Sequence, residues 1–143
     1  MKKQLFIFSL LCCFFIKAGF AQELPQNFYG KYVSNICNEC FWDFTSDDTG
    51  VWQTGFGNEI ERVPFIWEVM IDSNGDLQLA KEGNNTGYVI KITYMMVPLS
   101  EKVKGILISS QKDNPQAMGI FWFNDESINF QFMAKTNAFY SKK

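Results

Sequence analysis

The sequence predicts an all-β protein, an antiparallel up-and-down barrel of about eight strands, and three observations support this fold class. Segments in which apolar and polar residues alternate recur about every ten residues. Gly, Asn, Asp and Ser separate these segments, as expected of turns. Beyond the first 21 residues no segment has a sustained helical apolar period. Short connections favour a closed barrel, because closure leaves no sheet edge exposed.

The start of the chain predicts export. Two lysines are followed by an apolar run over residues 5–16, shorter than the roughly 20 residues of a membrane span. Gly19 and Ala21 are the small residues that a signal peptidase requires. We therefore expect residues 1–21 to be a cleaved signal peptide. The mature protein would then be a single domain, residues 22–143, in the periplasm or outside the cell.

Charge and composition exclude several classes of function. Removing the three lysines of the predicted signal peptide leaves 10 basic against 15 acidic residues, a net charge of −5. Without a basic stripe, nucleic acid is not an expected partner. The chain contains no histidine, which removes Ser-His-Asp and Cys-His catalysis and histidine zinc sites. We expect no enzymatic activity and no cofactor.

The strands are predicted from the alternation of apolar residues and the turn residues between them. In chain order they are residues 28–34, 40–45, 51–56, 63–71, 76–80, 88–97, 102–110, 118–124 and 127–135.

Two acidic stretches between the strands predict turns. SDDTG (46–50) contains the Asp residues that form turn hydrogen bonds. SNGD (73–76) predicts a β-hairpin, because Asn-Gly supplies positive φ. Together with Asp72 it has the spacing of part of a calcium loop, but the twelfth position is Gly83 and not a bidentate Glu. We expect a turn without a metal ion.

The opening strand resembles that of a known family. Residues 28–32 (FYGKY) are similar to the F-x-G-x-W/Y strand of lipocalin-like proteins, with Tyr32 at the position of the usual Trp. Residues 41–56 (FWDFTSDDTGVWQTGF) resemble the strand, Asp-x-x-Gly turn and strand of small bacterial lipocalin-like domains. The resemblance implies an up-and-down barrel that binds a small apolar or aromatic ligand.

Aromatic residues make up 17% of the chain, which indicates either a dense core or a lined pocket. If a pocket exists, we expect five aromatic side chains to point inward. Glu68 lies mid-strand between apolar neighbours, either inside a cavity or on the solvated outer face. The candidate ligand-binding residues are therefore Trp52, Trp67, Glu68, Tyr88, Tyr94 and Trp122.

Cys37 and Cys40 are three positions apart, a spacing found in redox centres, metal sites and disulfide-bonded turns. A strand, not a helix, follows Cys40, and the acidic Glu39 and Asp43 would raise a thiol pKa. Zinc needs more ligands than one cysteine pair supplies. The ends of a β-turn lie within about 7 Å, a separation that accommodates a disulfide. We predict a disulfide bond that links the two ends of a turn.

Three functions remain open. We expect a non-catalytic barrel that binds a small apolar or aromatic ligand in its interior. The alternative is a protein-binding module, of an inhibitor or immunity type, that acts through loops or one sheet face. A CxxC thiol oxidoreductase is the third hypothesis, and the strand after the cysteines argues against it.

Overall fold

A computed structural model describes residues 23–55, 57–96 and 98–143. The predicted signal peptide lies outside the described residues. Within them the chain forms nine strands. The strands are β1 (Gly30–Ser34), β2 (Phe41–Phe44), β3 (Thr49–Thr54), β4 (Glu61–Val69), β5 (Leu79–Glu82), β6 (Asn85–Tyr94), β7 (Gln116–Phe123), β8 (Ile128–Phe132) and β9 (Ala138–Lys142).

Eight of these strands close into an antiparallel barrel in the order β1-β2-β3-β4-β6-β7-β8-β9. The barrel closes where β9 pairs with β1, with Ser141 opposite Val33. β4 pairs with the second half of β6, and β5 covers the first half of the same edge. The predicted all-β barrel of about eight strands is confirmed, and it is consistent with a lipocalin-like barrel.

The predicted strand at 102–110 is wrong, because this stretch forms two short helices, α1 (Glu101–Ile106) and α2 (Ser109–Lys112). The Ser100 side chain accepts a hydrogen bond from the Val103 N–H and caps α1. One side of this segment is buried through apolar side chains at intervals of four residues, those of Leu99, Val103 and Leu107. The connection from β6 to β7 is therefore long, contrary to the expectation of short turns throughout.

The two ends of the barrel differ. At the helix end lie α1, α2 and the turn at 35–40. At the N-terminal end, residues 23–29 enter β1 through a 3-10 turn at Gln26–Phe28. The Phe28 ring closes this end, with its centre 5.2 Å from that of Tyr88 and 5.9 Å from that of Phe121.

The barrel interior is filled with aromatic rings in mutual contact. The Trp42 and Trp52 rings stack at 4.8 Å, and Trp42 lies 4.7 Å from Phe132. Phe44 and Phe121 continue the contacts toward Phe28, at 4.8 Å. These rings lie at distances typical of packed aromatic pairs. A small-molecule ligand therefore has no room among the described interior side chains.

A few polar atoms are buried among these rings. The Tyr32 hydroxyl donates to the Phe28 carbonyl oxygen at 2.6 Å. The Trp42 and Trp52 indole nitrogens have no partner with regular hydrogen-bond geometry. Burial raises the pKa of the Tyr140 hydroxyl, and the centre of its ring lies 6.5 Å from that of Trp42. The apolar interior therefore also contains a few polar atoms, those of Trp42, Trp52 and Tyr140.

Candidate ligand-binding site

The sequence-predicted candidates occupy three different environments. Trp52 and Tyr94 lie in the filled interior, 1% and 2% exposed. Tyr88 also points inward, at the N-terminal end, where Phe28 covers it and its ring stacks on Phe123. The structure does not bring these three residues together around a cavity.

The expectation that Trp122 points inward is wrong. Its cross-strand neighbours are Gly87 and Asn129 on the outer face, whereas Phe121 pairs with the inward Phe130. The Trp122 indole N–H donates to Gln131 Oε1 at 2.6 Å. Three aromatic residues follow one another at 121–123, so alternation alone does not show which of them face the core.

Glu68 points outward and forms an ion pair with Lys91 on the neighbouring strand β6. Its side chain is 59% exposed. Of the two positions considered from the sequence, the solvated outer face is therefore the observed one. Trp67, the preceding residue, points inward, but one edge of its ring reaches the N-terminal end of the barrel.

Trp67 and Glu68 both line a concave surface at this end, here called the end groove, with a volume of about 390 Å³. The N-terminal segment supplies one wall, and β4 with the residues after it supplies the other. The groove is lined by Glu23, Leu24, Tyr29, Asp48, Trp67, Glu68, Val69 and Ile71.

The aromatic walls of the end groove are held in place by hydrogen bonds and ring contacts. The Trp67 indole N–H donates to the Thr49 carbonyl oxygen at 3.1 Å. The Trp67 backbone N–H donates to the Asp48 carbonyl oxygen at 2.9 Å. The Tyr29 ring lies 5.9 Å from the Trp67 ring at an angle of 55°. The two rings therefore form a corner that is already organised before a ligand binds.

A second concavity, here called the side groove, continues from the end groove along the outside of β4. Its volume is about 320 Å³. Asp48, Trp67 and Glu68 line both grooves. The side groove adds Asp47, Ile66, Lys91 and Thr93.

The electrostatics of the two grooves are dominated by carboxylates. Burial raises the pKa of the Tyr29 hydroxyl, and the charges of Glu23 and Asp48 raise it further. Hydrogen bonds from the Thr45 and Thr49 side chains lower the pKa of Asp47. The Asp47 carboxylate therefore stays ionised, and the Tyr29 hydroxyl lies in a negative potential.

Sequence reasoning found Trp67 and Glu68 but missed Leu24, Tyr29 and Asp48. Tyr29 was noted only as part of the opening strand, and Asp48 only as a turn residue. Asp48 has φ 61°, a left-handed conformation that Asp tolerates better than most residues. The proximity of Tyr29 and Asp48 depends on how the N-terminal segment packs.

The predicted disulfide between Cys37 and Cys40 is confirmed. The Cα atoms are 5.2 Å apart, and the Cys40 N–H donates to the Cys37 carbonyl oxygen at 3.0 Å, which forms the predicted turn. Both residues are buried, and their sulfur atoms lie 3.9 and 3.7 Å from the Gly55 carbonyl oxygen. As disulfide sulfurs carry no hydrogen, these are packing contacts and not hydrogen bonds.

In the described part of the chain, no group of three or more His, Cys, Asp and Glu side chains is placed to hold a metal ion. Nor does any helix formed by residues 23–55, 57–96 or 98–143 have the length and hydropathy needed to cross a membrane. Comparisons with protein-family models, curated proteins and solved structures find no match to the chain. Its function is therefore inferred from its own residues.

Proposed function

We propose that this protein is an exported, non-catalytic, lipocalin-like barrel that binds a small apolar or aromatic ligand in the end groove. The observation that carries the proposal is the pairing of a filled interior with an aromatic corner at the barrel end. Trp67 and Tyr29 form the corner, and Leu24, Val69 and Ile71 extend its apolar wall.

The size and lining of the end groove support this proposal. Small-molecule sites usually measure about 300–1,000 Å³ and combine apolar walls with a few polar groups. The end groove, at about 390 Å³, is at the small end of this range. A ligand of about ten non-hydrogen atoms at about 0.5 kcal/mol per atom would have a Kd between about 1 and 0.1 mM.

Titration of the purified protein with a panel of neutral aromatic compounds, followed by tryptophan fluorescence, tests the proposal. We expect saturable changes for at least one compound of one or two rings. Tyr29→Leu removes one wall of the corner and should abolish the change. Phe139→Leu, an exposed aromatic residue on the opposite side of the barrel, is the matched control. Absence of binding by the whole panel, or unchanged binding by Tyr29→Leu, would overturn the proposal.

A second candidate function is protein binding through the outside of β7, β8 and β9. The apolar side chains on this face, here called the outer patch, are Met118, Ile120 and Trp122 of β7, Met133 after β8 and Phe139 of β9, and the polar Gln131 lies between Ile120 and Phe139. Phe139 is 45% exposed and Met133 39% exposed. Groups of apolar residues at a protein surface are typical of protein-interaction sites.

The outer patch is tested by affinity capture from the fluid into which the protein is secreted. A partner should bind the wild-type protein and be lost with Phe139→Glu. Ile66→Glu, on the outer face of β4, changes a residue of nearly equal exposure, 46%, and should leave binding intact. Capture that resists Phe139→Glu would place the partner elsewhere and contradict this candidate.

A further inference from the structure

We propose that the end groove selects an organic cation, a small molecule that joins an apolar or aromatic group to an ammonium or guanidinium group. This inference rests on the proposed function, because it names the chemical class of the same groove's ligand. The apolar part would contact Trp67 and Tyr29. The cationic part would lie between the Tyr29 ring and the carboxylates of the groove.

The charges that line the end groove favour a cation. Among the described residues that line it are three carboxylates, those of Glu23, Asp48 and Glu68, and no lysine or arginine. The side groove adds the carboxylate of Asp47 and the ammonium of Lys91. That ammonium is already paired with Glu68. Among the described residues of the two grooves, most of the negative charge therefore has no counter-ion.

The aromatic corner also favours a cation. Ring faces carry negative electrostatic potential and attract ammonium and guanidinium groups within about 6 Å of the ring centre. Elsewhere the chain supplies its own cation for this purpose, as where the Lys31 ammonium lies 4.1 Å above the Phe41 ring. A ligand cation would have the same role at the partly exposed Tyr29 ring, whereas Trp67, 4% exposed, offers an apolar edge.

The carboxylates and the rings act at the same place. The charges of Glu23 and Asp48 raise the pKa of the Tyr29 hydroxyl, so both are close enough to affect the ring that forms the corner. At about 4 Å in water, one unit charge changes an affinity about fivefold. Two or three such carboxylates would therefore distinguish a cation from a neutral molecule of the same shape, and would repel an anion.

The test compares two probes of matched shape, benzyltrimethylammonium and its uncharged isostere neopentylbenzene. Kd values are measured by NMR titration at low and at high salt. We expect the cation to bind at least about tenfold more tightly than the isostere, from cation–π and carboxylate contacts together. The difference should decrease at high salt, because the carboxylates are exposed to solvent.

Asp48→Asn removes one charge at nearly constant shape, and Asn also tolerates the left-handed φ of this position. It should weaken the binding of benzyltrimethylammonium about fivefold and leave neopentylbenzene unchanged. Asp113→Asn, at the helix end of the barrel, removes the same charge far from the groove and should change neither Kd.

The outcomes separate the two proposals. If neither probe binds, this inference fails, and the panel of neutral aromatic compounds decides the proposed function separately. If neopentylbenzene binds as tightly as benzyltrimethylammonium, or if Asp48→Asn leaves the preference unchanged, the groove is a ligand site without charge selectivity. In that case this inference fails and the proposed function stands.

Discussion

At the scale of single residues, two glycines inside the barrel make room for phenylalanine rings. A Cβ atom at Gly50 would collide with the Phe65 ring and with the Asp43 carbonyl oxygen. A Cβ atom at Gly119 would meet the Phe130 ring in the same way. The rings therefore pack directly on the backbone of the neighbouring strand, and the dense core depends on the absence of a side chain at both positions.

Gly50→Ala should destabilise the protein by about 1–3 kcal/mol, because the added methyl group overpacks a site bounded partly by backbone. Gly105→Ala is the matched control, since a Cβ atom there has no neighbour within 4 Å. Gly105 lies in α1, so its substitution should stabilise by up to about 1 kcal/mol. Urea unfolding measures both changes. Equal stability of Gly50→Ala and the wild-type protein would contradict the packing described.

At the scale of elements, α1 is stabilised by its cap and by the residues it buries. Ser100 caps α1 through the Val103 N–H, and its hydroxyl donates to Glu61 Oε2 at 2.6 Å, which links the helix to β4. Val103 and Leu107 are fully buried at the helix end. Tertiary burial thus decides the structure of a segment whose alternating residues also fit a strand.

Ser100→Ala should lower the unfolding free energy by about 1 kcal/mol, through loss of the cap. Ser100→Thr keeps a hydroxyl acceptor and should recover most of this loss. Ser110→Ala, a substitution in α2 that removes no cap, should have little effect. Thermal unfolding measures all three variants. If Ser100→Thr lost as much unfolding free energy as Ser100→Ala, the hydroxyl cap would not be the cause of that loss.

The Cys37–Cys40 disulfide closes a small loop, for which chain entropy gives only about 2 kcal/mol. We expect the Cys37→Ala, Cys40→Ala double variant to stay folded, because the β1–β2 pairing persists, with a correspondingly lower urea midpoint. Reductant should lower the midpoint of the wild-type protein and not that of the double variant. We also expect no insulin reduction by the wild-type protein. If the wild-type protein reduced insulin and the double variant did not, the result would instead support the oxidoreductase hypothesis.

At the scale of the whole molecule, buried tyrosines link folding to alkaline pH. Burial raises the pKa of Tyr32, Tyr94 and Tyr140 above the value near 10 of an exposed phenol. Above about pH 10 the unfolded chain therefore releases protons that the folded protein keeps. The stabilisation is complete below this pH and is lost as pH rises toward the folded-state pKa values.

Alkaline titration should show tyrosinate absorbance from the buried tyrosines rising together with loss of the near-ultraviolet circular dichroism of the core. Tyr94→Phe should move this transition to higher pH, because it removes one of the ionisable groups. If all of the tyrosines ionised while the circular dichroism stayed native, the buried positions of Tyr32, Tyr94 and Tyr140 would be contradicted.

The candidate site was predictable only in part. Trp67 and Glu68 are adjacent in a strongly alternating strand. An aromatic residue on its inward face and a carboxylate between apolar neighbours could therefore be recognised from the sequence. Tyr29 and Asp48 are distant in sequence from that strand, and only the packing of the N-terminal segment brings them to it. Trp122 was assigned to the wrong face, because alternation in three consecutive aromatic residues does not show which of them face the core.

The sequence by itself determined the all-β class, the SNGD turn and the Cys37–Cys40 turn, because alternation, turn residues and short spacing act over a few neighbouring positions. Only the tertiary structure decided the closing strand β9, the helices between β6 and β7, and the filled interior. Each of these depends on contacts between residues far apart in the chain. The end groove belongs to this second group, because its walls come from the N-terminal segment, the turn at 46–50 and β4.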